Sequence, residues 1–415
     1  MSGAPLPLAG RTAVALRHRP IASCAAIAVV CLLLFHVVSV ASGKLEESGG
    51  LGWDGRAYAR MTTDGLDTGT SNTQTRPLLP LLARIPYSLG VDVVRSFQAL
   101  NYVYAFLLYF GSALLVRQAG ASTTVQAVVA GNLALCIATS KMFGFYPVQI
   151  DLGALAAVTL AFYLVRAGRR WPAAVACVIA AVSREFGVAV ALYGIHRAIR
   201  RREPWLPAAL TFLPAIAAVV LLRVWVLSSL DAGARAPLSA GDLLENLRTW
   251  ASPAFVAIVG YFAVTLFGGI SLFLVARARW CLTRMREEPE LATFVLVFAG
   301  LTAVGSLDIW RYLVFVLPAA LVLAGRFYQG ADADTSRRLL VAMTLVTILT
   351  QRPFDAMNVE RYFRDWFPLY PYFGAEGASP ALLQVWGARC AAILLFLLAA
   401  HLMLRRTWRV ARIDV

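Results

Sequence analysis

Charge is scarce in this sequence: Asp, Glu, Lys and Arg together make up 15% of its 415 residues, against about a quarter in an ordinary globular chain. A soluble domain is thereby excluded, because its surface would have to be mostly apolar. Lysine is nearly missing. Lys44 and Lys141 are the only two, and arginine carries the rest of the positive charge, a bias that genomic base composition alone accounts for. Histidine is confined to His18, His36, His196 and His401, and the six cysteines show no CxxC spacing. Neither a disulfide framework nor a zinc site is indicated. No HExxH, GxSxG, Walker A or GxGxxG fingerprint occurs, which disfavours the hydrolases and nucleotide-driven pumps built on them. No internal repeat of the kind found in many secondary transporters is evident.

What is present is apolar: 59% of the residues are hydrophobic, and several runs reach the roughly 20 residues that span hydrocarbon. These runs predict an all-α, polytopic transmembrane helical bundle, a single domain over 1–415. The spans fall at 21–42, 97–116, 121–140, 150–165, 206–227, 253–276, 291–305, 313–328, 338–351 and 388–404. The first follows Arg11, Arg17 and Arg19 as a signal peptide would. It is longer than a usual signal core and Ala41-Ser42-Gly43 is a weak cleavage site, so it reads as a retained span. A further stretch, 172–195, is interrupted by Ser183-Arg184-Glu185. It is either one span with a buried ion pair or two half-helices turning at Arg184-Glu185, for about ten to twelve spans in all.

Charge decides between these two. In the hairpin, Arg166, Arg169 and Arg170 fall on the same side as Arg197, Arg200, Arg201 and Arg202. The whole net charge of +15 then lies on the cytoplasmic face with both termini, as the positive-inside rule requires. No nucleic-acid partner is needed to explain it, since these arginines flank spans and would meet anionic membrane lipid.

The opposite face carries the longer loops, which combine acids, arginines and rings. The first, 43–96, predicts two interfacial amphipathic helices. One begins near Trp53. The other lies in RPLLPLLARIPYSLG (76–90), with Pro77 suited to a first turn and Leu78, Leu79, Leu81, Leu82 and Ile85 forming an apolar side. Further loops are KMFGFYPVQID (141–151), the Arg184-Glu185 turn, 228–252, SLDIWRY (306–312) and the last external loop, 352–387. Transporters usually keep their critical charges at mid-membrane on broken helices. Here nearly all collect at one surface, with Arg223 an exception inside a span, so the pattern predicts a site opening at the outer leaflet.

The sharpest candidate is Asp54 in GWDGRAYARM (52–61). At helical spacing Asp54 and Tyr58 share a face while Arg56 and Arg60 lie nearly opposite. Asp54 is either a functional acid or a simple helix cap, since no Glu or Gln at position 57 completes a capping box. Arg76 has a guanidinium suited to bidentate phosphate binding, or snorkels to headgroups. Asp151 enters a span, where a carboxylate must face a cavity or a partner such as Lys141. Arg184 and Glu185 form either a polar turn or a placed ion pair. Asp308, Arg311 and Tyr312 form another charged edge before a span.

These motifs resemble the GT-C class of integral membrane glycosyltransferases, particularly bacterial mannosyltransferase and polyprenyl-phosphate-sugar-dependent members. The resemblance rests on GWDGRAYARM with RPLLPLLARI, on Asp151 opening a span, on SREFG (183–187) and on DIWRYLVFVLPAALVLAG (308–325). It implies an inverting transfer of a hexosyl or pentosyl unit from a polyprenyl-phosphate carrier to a lipid, glycan or protein acceptor. That reaction would take place on the non-cytoplasmic side of a bacterial plasma membrane. Asp54 matches the family's first-loop acid, and as the general base would take the acceptor's proton. One acid stands there in place of an adjacent acidic pair, which leaves Asp54 as base or as ligand of a divalent cation (Mg or Mn). Arg76, Arg184 and Arg311 would stabilise the departing phosphate, and Asp151 and Glu185 would orient them or bind sugar hydroxyls. Asp308 beside Arg311 would help hold a phosphate or merely pair with it, and Trp53, Tyr58 and Tyr146 would stack on the sugar or the first isoprene units. The alternatives are a multi-pass transporter or flippase for a lipid-linked or anionic substrate, and a non-catalytic envelope scaffold.

Overall fold

The computed structural model describes residues 9–229, 266–305, 309–331, 333–357, 391, 393–394 and 397–398. Among them every regular element is helical. In chain order these are α1 (Ala9–Ala41), α2 (Asp54–Thr63), α3 (Ser71–Gln74), α4 (Leu78–Ser88), α5 (Val93–Gln118) and α6 (Thr123–Leu135). Next come α7 (Lys141–Phe145), α8 (Asp151–Arg166), α9 (Arg170–Ser183), α10 (Gly187–Arg200) and α11 (Trp205–Ser229). The remainder are α12 (Gly269–Ala276), α13 (Ala278–Glu287), α14 (Pro289–Gly305), α15 (Ile309–Leu313), α16 (Leu317–Gly330) and α17 (Ala333–Gln351).

Among the described residues, four stretches are long and apolar enough to cross a membrane: Ile21–Ala41, Val93–Gln118, Trp205–Ser228 and Arg311–Gly330. The expected spans at 121–140, 150–165, 291–305 and 338–351 are each helical but shorter, or less apolar, than those four. Most of the spans at 388–404 and 253–276 lies outside the described residues, as do the 230–252 loop and the last external loop beyond residue 357.

Helix α1 belongs to the bundle. Cys24, Ala28, Cys31, Phe35 and Val38 are buried, and the three-and-four spacing puts them on one side of the helix. Val29, Val30, Leu33, Val37 and Val40 are exposed on the other. The buried side packs on α5 and α6, and α5 in turn packs on α8 and α16. Small residues let these helices approach closely: a Cβ on Gly325 would meet Ala119 and Val116 of the α5 end, and one on Gly111 would press on Leu160 of α8. Asn132 of α6 donates to Thr344 of α17 at 3.1 Å and accepts from Thr347, a polar tie between the two helices.

The stretch 172–195 is a hairpin, as the charge distribution requires. Arg184 is extended (φ −163°, ψ 143°) where α9 ends, and the chain folds back so tightly that a Cβ on Gly187 would lie 2.2 Å from the backbone nitrogen of Ala181. Each arm has 14 residues, about 21 Å of helix, short of the roughly 30 Å hydrocarbon core. Helix α11 covers this hairpin, packing on both α9 and α10. Its outer side exposes Leu206, Leu210, Leu213, Val220, Leu221 and Val224, the face expected against lipid chains. Arg223 is exposed on α11 as well.

Candidate functional site

The first loop folds onto the bundle. In α2, Ala57, Tyr58, Ala59 and Met61 are buried while Arg56 and Arg60 are exposed, the division expected from helical spacing. The helix is seated through its glycines on Tyr146. Gly52 has φ +60°, and a Cβ there would stand 2.7 Å from the Tyr146 ring. The Gly55 N–H donates to the Tyr146 hydroxyl at 2.8 Å, and the Trp53 ring meets Tyr146 edge-on at 5.9 Å. Backbone of GWDG and ring of Tyr146 thus fix where Asp54 points.

Asp54 is the first residue of α2, and Trp53 occupies the cap position without a side-chain cap bond. The helix-cap reading is therefore replaced by a longer-range role. Asp54 Oδ2 accepts from Arg311 Nη1 at 3.0 Å, across 257 positions of sequence. Arg311 Nε donates to Asp151 Oδ2 at 2.9 Å, so one guanidinium bridges two aspartates. The other oxygen of Asp151 is ion-paired with Arg184. Asp151 opens α8, where the positive end of the helix favours a carboxylate, and its side chain is 1% exposed. The expected partner Lys141 instead donates to the Arg352 carbonyl at 2.7 Å. Two arginines outcompete one lysine because Asp151 needs charge on both oxygens once it is desolvated.

A second pair lies alongside. Arg76 grips Glu185 through Nε (3.1 Å) and Nη2 (2.9 Å), and its Nη1 reaches the Tyr58 hydroxyl at 3.4 Å. Fork-to-fork pairing of this kind is the strong form of the contact. Arg184 also lies 4.6 Å from the Phe186 ring centre, 5.4 Å from Tyr312 and 5.6 Å from Phe315. Phe186 and Phe315 carry no polar atom and were not among the expected site residues; only their place within SREFG and DIWRYLVFVLPAALVLAG hinted at them. Cation–π contact of this kind helps to keep a guanidinium in a desolvated setting.

The structure thus brings together Trp53, Asp54, Tyr58, Arg76, Tyr146, Asp151, Arg184, Glu185 and Arg311 from five separate segments. Asp308 lies outside the described residues. The three acids and three arginines balance, and Asp54 is the most open of them, with 47% of its side chain exposed. Burial alone would push the Asp54 carboxyl up; Arg311 bonded to it, with Arg76 and Arg184 behind, outweighs that and holds it below the ordinary carboxylate range.

Among the described residues no three His, Cys, Asp or Glu side chains gather as metal ligands. Asp54, Asp151 and Glu185 are each engaged by arginine. A divalent cation here would have to displace a guanidinium or take most of its oxygens from a bound phosphate.

A second ion cluster closes the far end of α8, where Arg166 pairs with Glu288 at 3.0 Å and donates to Tyr193 at 3.1 Å, and Arg326 pairs with the same Glu288. Ion clusters therefore stand at both ends of α8. A cavity of about 800 Å³ lies elsewhere, between α6 and α17. Its lining includes Arg337 but no acid, and general-base chemistry needs a placed acid or base. The arginine–carboxylate network is therefore the candidate site.

Fold and site define an all-helical chain with membrane-type apolar helices and a buried arginine–carboxylate network beneath the first-loop helix α2. Compared with known proteins, the chain matches no family model and no curated sequence.

Proposed function

We propose that the protein is a GT-C type glycosyltransferase of the bacterial plasma membrane. It takes a sugar from a polyprenyl-phosphate carrier and passes it, with inversion, to an acceptor on the non-cytoplasmic side. On this reading the chain has about ten to twelve spans and both termini in the cytoplasm. The observation that carries the proposal is the convergence of Asp54, Asp151 and Glu185 with Arg76, Arg184 and Arg311 beside an acid that remains half open.

In a single displacement, Asp54 takes the proton of the acceptor hydroxyl as that oxygen attacks the anomeric carbon. The anomeric C–O bond to phosphate breaks, and the polyprenyl phosphate leaves with the bonding pair, its charge met by arginine. A carboxylate held low by Arg311 is a weak base. A donor phosphate that takes Arg311 Nη1 releases Asp54 and raises its proton affinity, so the base becomes competent once the donor is bound. Trp53, partly exposed beside Asp54, is the ring placed to stack on a sugar face, while Tyr58 and Tyr146 support Arg76 and α2 from beneath.

The test is transfer by purified protein offered a panel of polyprenyl-phosphate sugars, wild type against Asp54→Asn. Loss of a general base should slow transfer by about 10²–10⁴-fold with expression unchanged. Full transfer by the variant sinks the base assignment, and no transfer from any donor by wild type sinks the reading.

A further inference from the structure

A small cavity of about 180 Å³ lies among the end of α8, the start of α9, the end of α10 and the start of α11, well away from the network around Asp54. At about 30 Å³ per water, it is large enough for a compact hydrated anion. Its lining is basic: Arg170, Arg197 and Arg201 face it with one acid, Glu203, and the hydroxyl-bearing Thr211. Arg170 is paired with Glu203, and Arg197 spends Nη1 on Glu290 at 3.3 Å. No ion pair holds Arg201 among the described residues.

Two further features point at an anion. Arg197 is buried, 9% exposed, and its Nε has no hydrogen-bond partner among the described residues. A desolvated guanidinium N–H left unmet is costly, and an acceptor in the cavity would satisfy it. The same cavity meets the N-terminus of α9, a 14-residue helix with no side-chain cap bond. Its first N–H groups and the helix dipole both favour negative charge there.

The surroundings choose among anions. Trp171, one residue past Arg170, is 77% exposed, and Trp205 at the head of α11 is 63% exposed. Exposed tryptophans at the ends of apolar helices mark the level of lipid headgroups. Leu206, Leu210 and Leu213 at the start of α11 are exposed on the side of that helix away from the cavity-lining Ala208, Thr211 and Phe212, where acyl chains would lie. We propose that this pocket binds the phosphate of an anionic phospholipid, with the lipid's chains lying along α11. The phosphate meets Arg201 and the free Nε of Arg197 at the uncapped start of α9. Glu203 opposes it, and its pairing with Arg170 limits how tightly the site holds.

The test uses full-length protein purified in detergent, stripped of lipid and offered phosphatidylglycerol or phosphatidylcholine, with bound lipids counted by native mass spectrometry. Wild type should retain phosphatidylglycerol preferentially. Arg201→Ala, at an exposed position, should weaken that retention roughly fivefold, while Glu203→Gln should strengthen it. A gain from Glu203→Gln is a readout that a merely structural acid would not produce. Equal retention of the two lipids, or no change in either variant, overturns the proposal. Displacement of the phosphatidylglycerol by inorganic phosphate at millimolar concentration makes the ligand a soluble anion and overturns the lipid assignment. None of these measurements uses sugar transfer, so they stand or fall apart from the proposed activity.

Discussion

Asp151→Asn tests whether the ion network holds the fold together as well as shaping the site. Asp151 is buried and gives one oxygen to Arg311 and the other to Arg184. Asparagine keeps the shape but removes the charge and turns an NH₂ toward a guanidinium that can only donate. Removing one partner of a buried ion pair costs about 3–5 kcal/mol. Asp54→Asn is the internal control. Its carboxylate shares Arg311 but is 47% exposed, so solvent screening leaves its pairing at about 1 kcal/mol or less. For a chain of this length, scaling the usual dependence of melting temperature on free energy gives about 1–2 °C per kcal/mol. Asp151→Asn should then melt about 3–10 °C below wild type in detergent, followed by tryptophan fluorescence, and Asp54→Asn within about 2 °C. Adding Arg184→Met to Asp151→Asn should recover part of the loss, because an apolar replacement of a whole buried pair is often nearly neutral. The two changes should therefore be strongly non-additive. If Asp151→Asn melts with wild type, or Asp54→Asn is the more damaging of the two, the network is not the buried unit described here.

Gly187→Ala should abolish the hairpin packing, since the added carbon would stand 2.2 Å from the Ala181 nitrogen and backbone has to shift; the check is yield of monodisperse protein, with Gly300→Ala, which meets nothing within 4 Å, as control. Tyr146→Phe removes the acceptor of the Gly55 N–H and should cost about 1–3 kcal/mol, together with a fall in transfer as α2 loses its seat. The pH dependence follows from Asp54. Its folded pKa is lowered, so the stability from its pairing with Arg311 is present above the unfolded value of about 3.9 and is lost as pH falls through the folded one. Arg311→Gln should move the acid limb of the transfer rate to higher pH and flatten the part of the acid loss in melting temperature that comes from Asp54. An unmoved limb would mean that Asp54 titrates independently of Arg311.

Much of the helical scaffold was legible because apolar runs and arginine placement are local or additive signals. Arg166, Arg169 and Arg170 needed only to be counted with Arg197 and Arg200 to make 172–195 a hairpin, and α9 and α10 turn where Arg184-Glu185 interrupts the run. The site residues were legible as types, because ionisable groups at membrane level are costly without a purpose. Their pairing was not. Asp54 read locally is a cap, and its partner lies 257 positions away. Lys141 is the nearest cation to Asp151 along the chain, yet α7 turns it toward the Arg352 carbonyl. Phe186 and Phe315 look like ordinary core rings in sequence, and only three dimensions place them around Arg184.

The scarcity of lysine has a geometric consequence at three positions. Arg311 holds Asp54 with one nitrogen and Asp151 with another. Arg76 spends two nitrogens on Glu185 and a third on Tyr58. Arg184 lays a flat cation among three rings. An ammonium is a compact point charge, without the planar fork that spans two carboxylates or the flat face that stacks on rings. Arg311→Lys should therefore keep the charge and still fail, holding Asp151 or Asp54 but not both. Because Asp151 is buried and Asp54 half open, the lysine should stay with Asp151, where desolvation makes an unmet charge most costly. Asp54 would then be released, its carboxyl rising toward the ordinary range, so Arg311→Lys should preserve melting temperature far better than Asp151→Asn while moving the acid limb upward as Arg311→Gln does. A variant that loses stability but leaves the acid limb in place would show that Arg311 serves the buried aspartate alone.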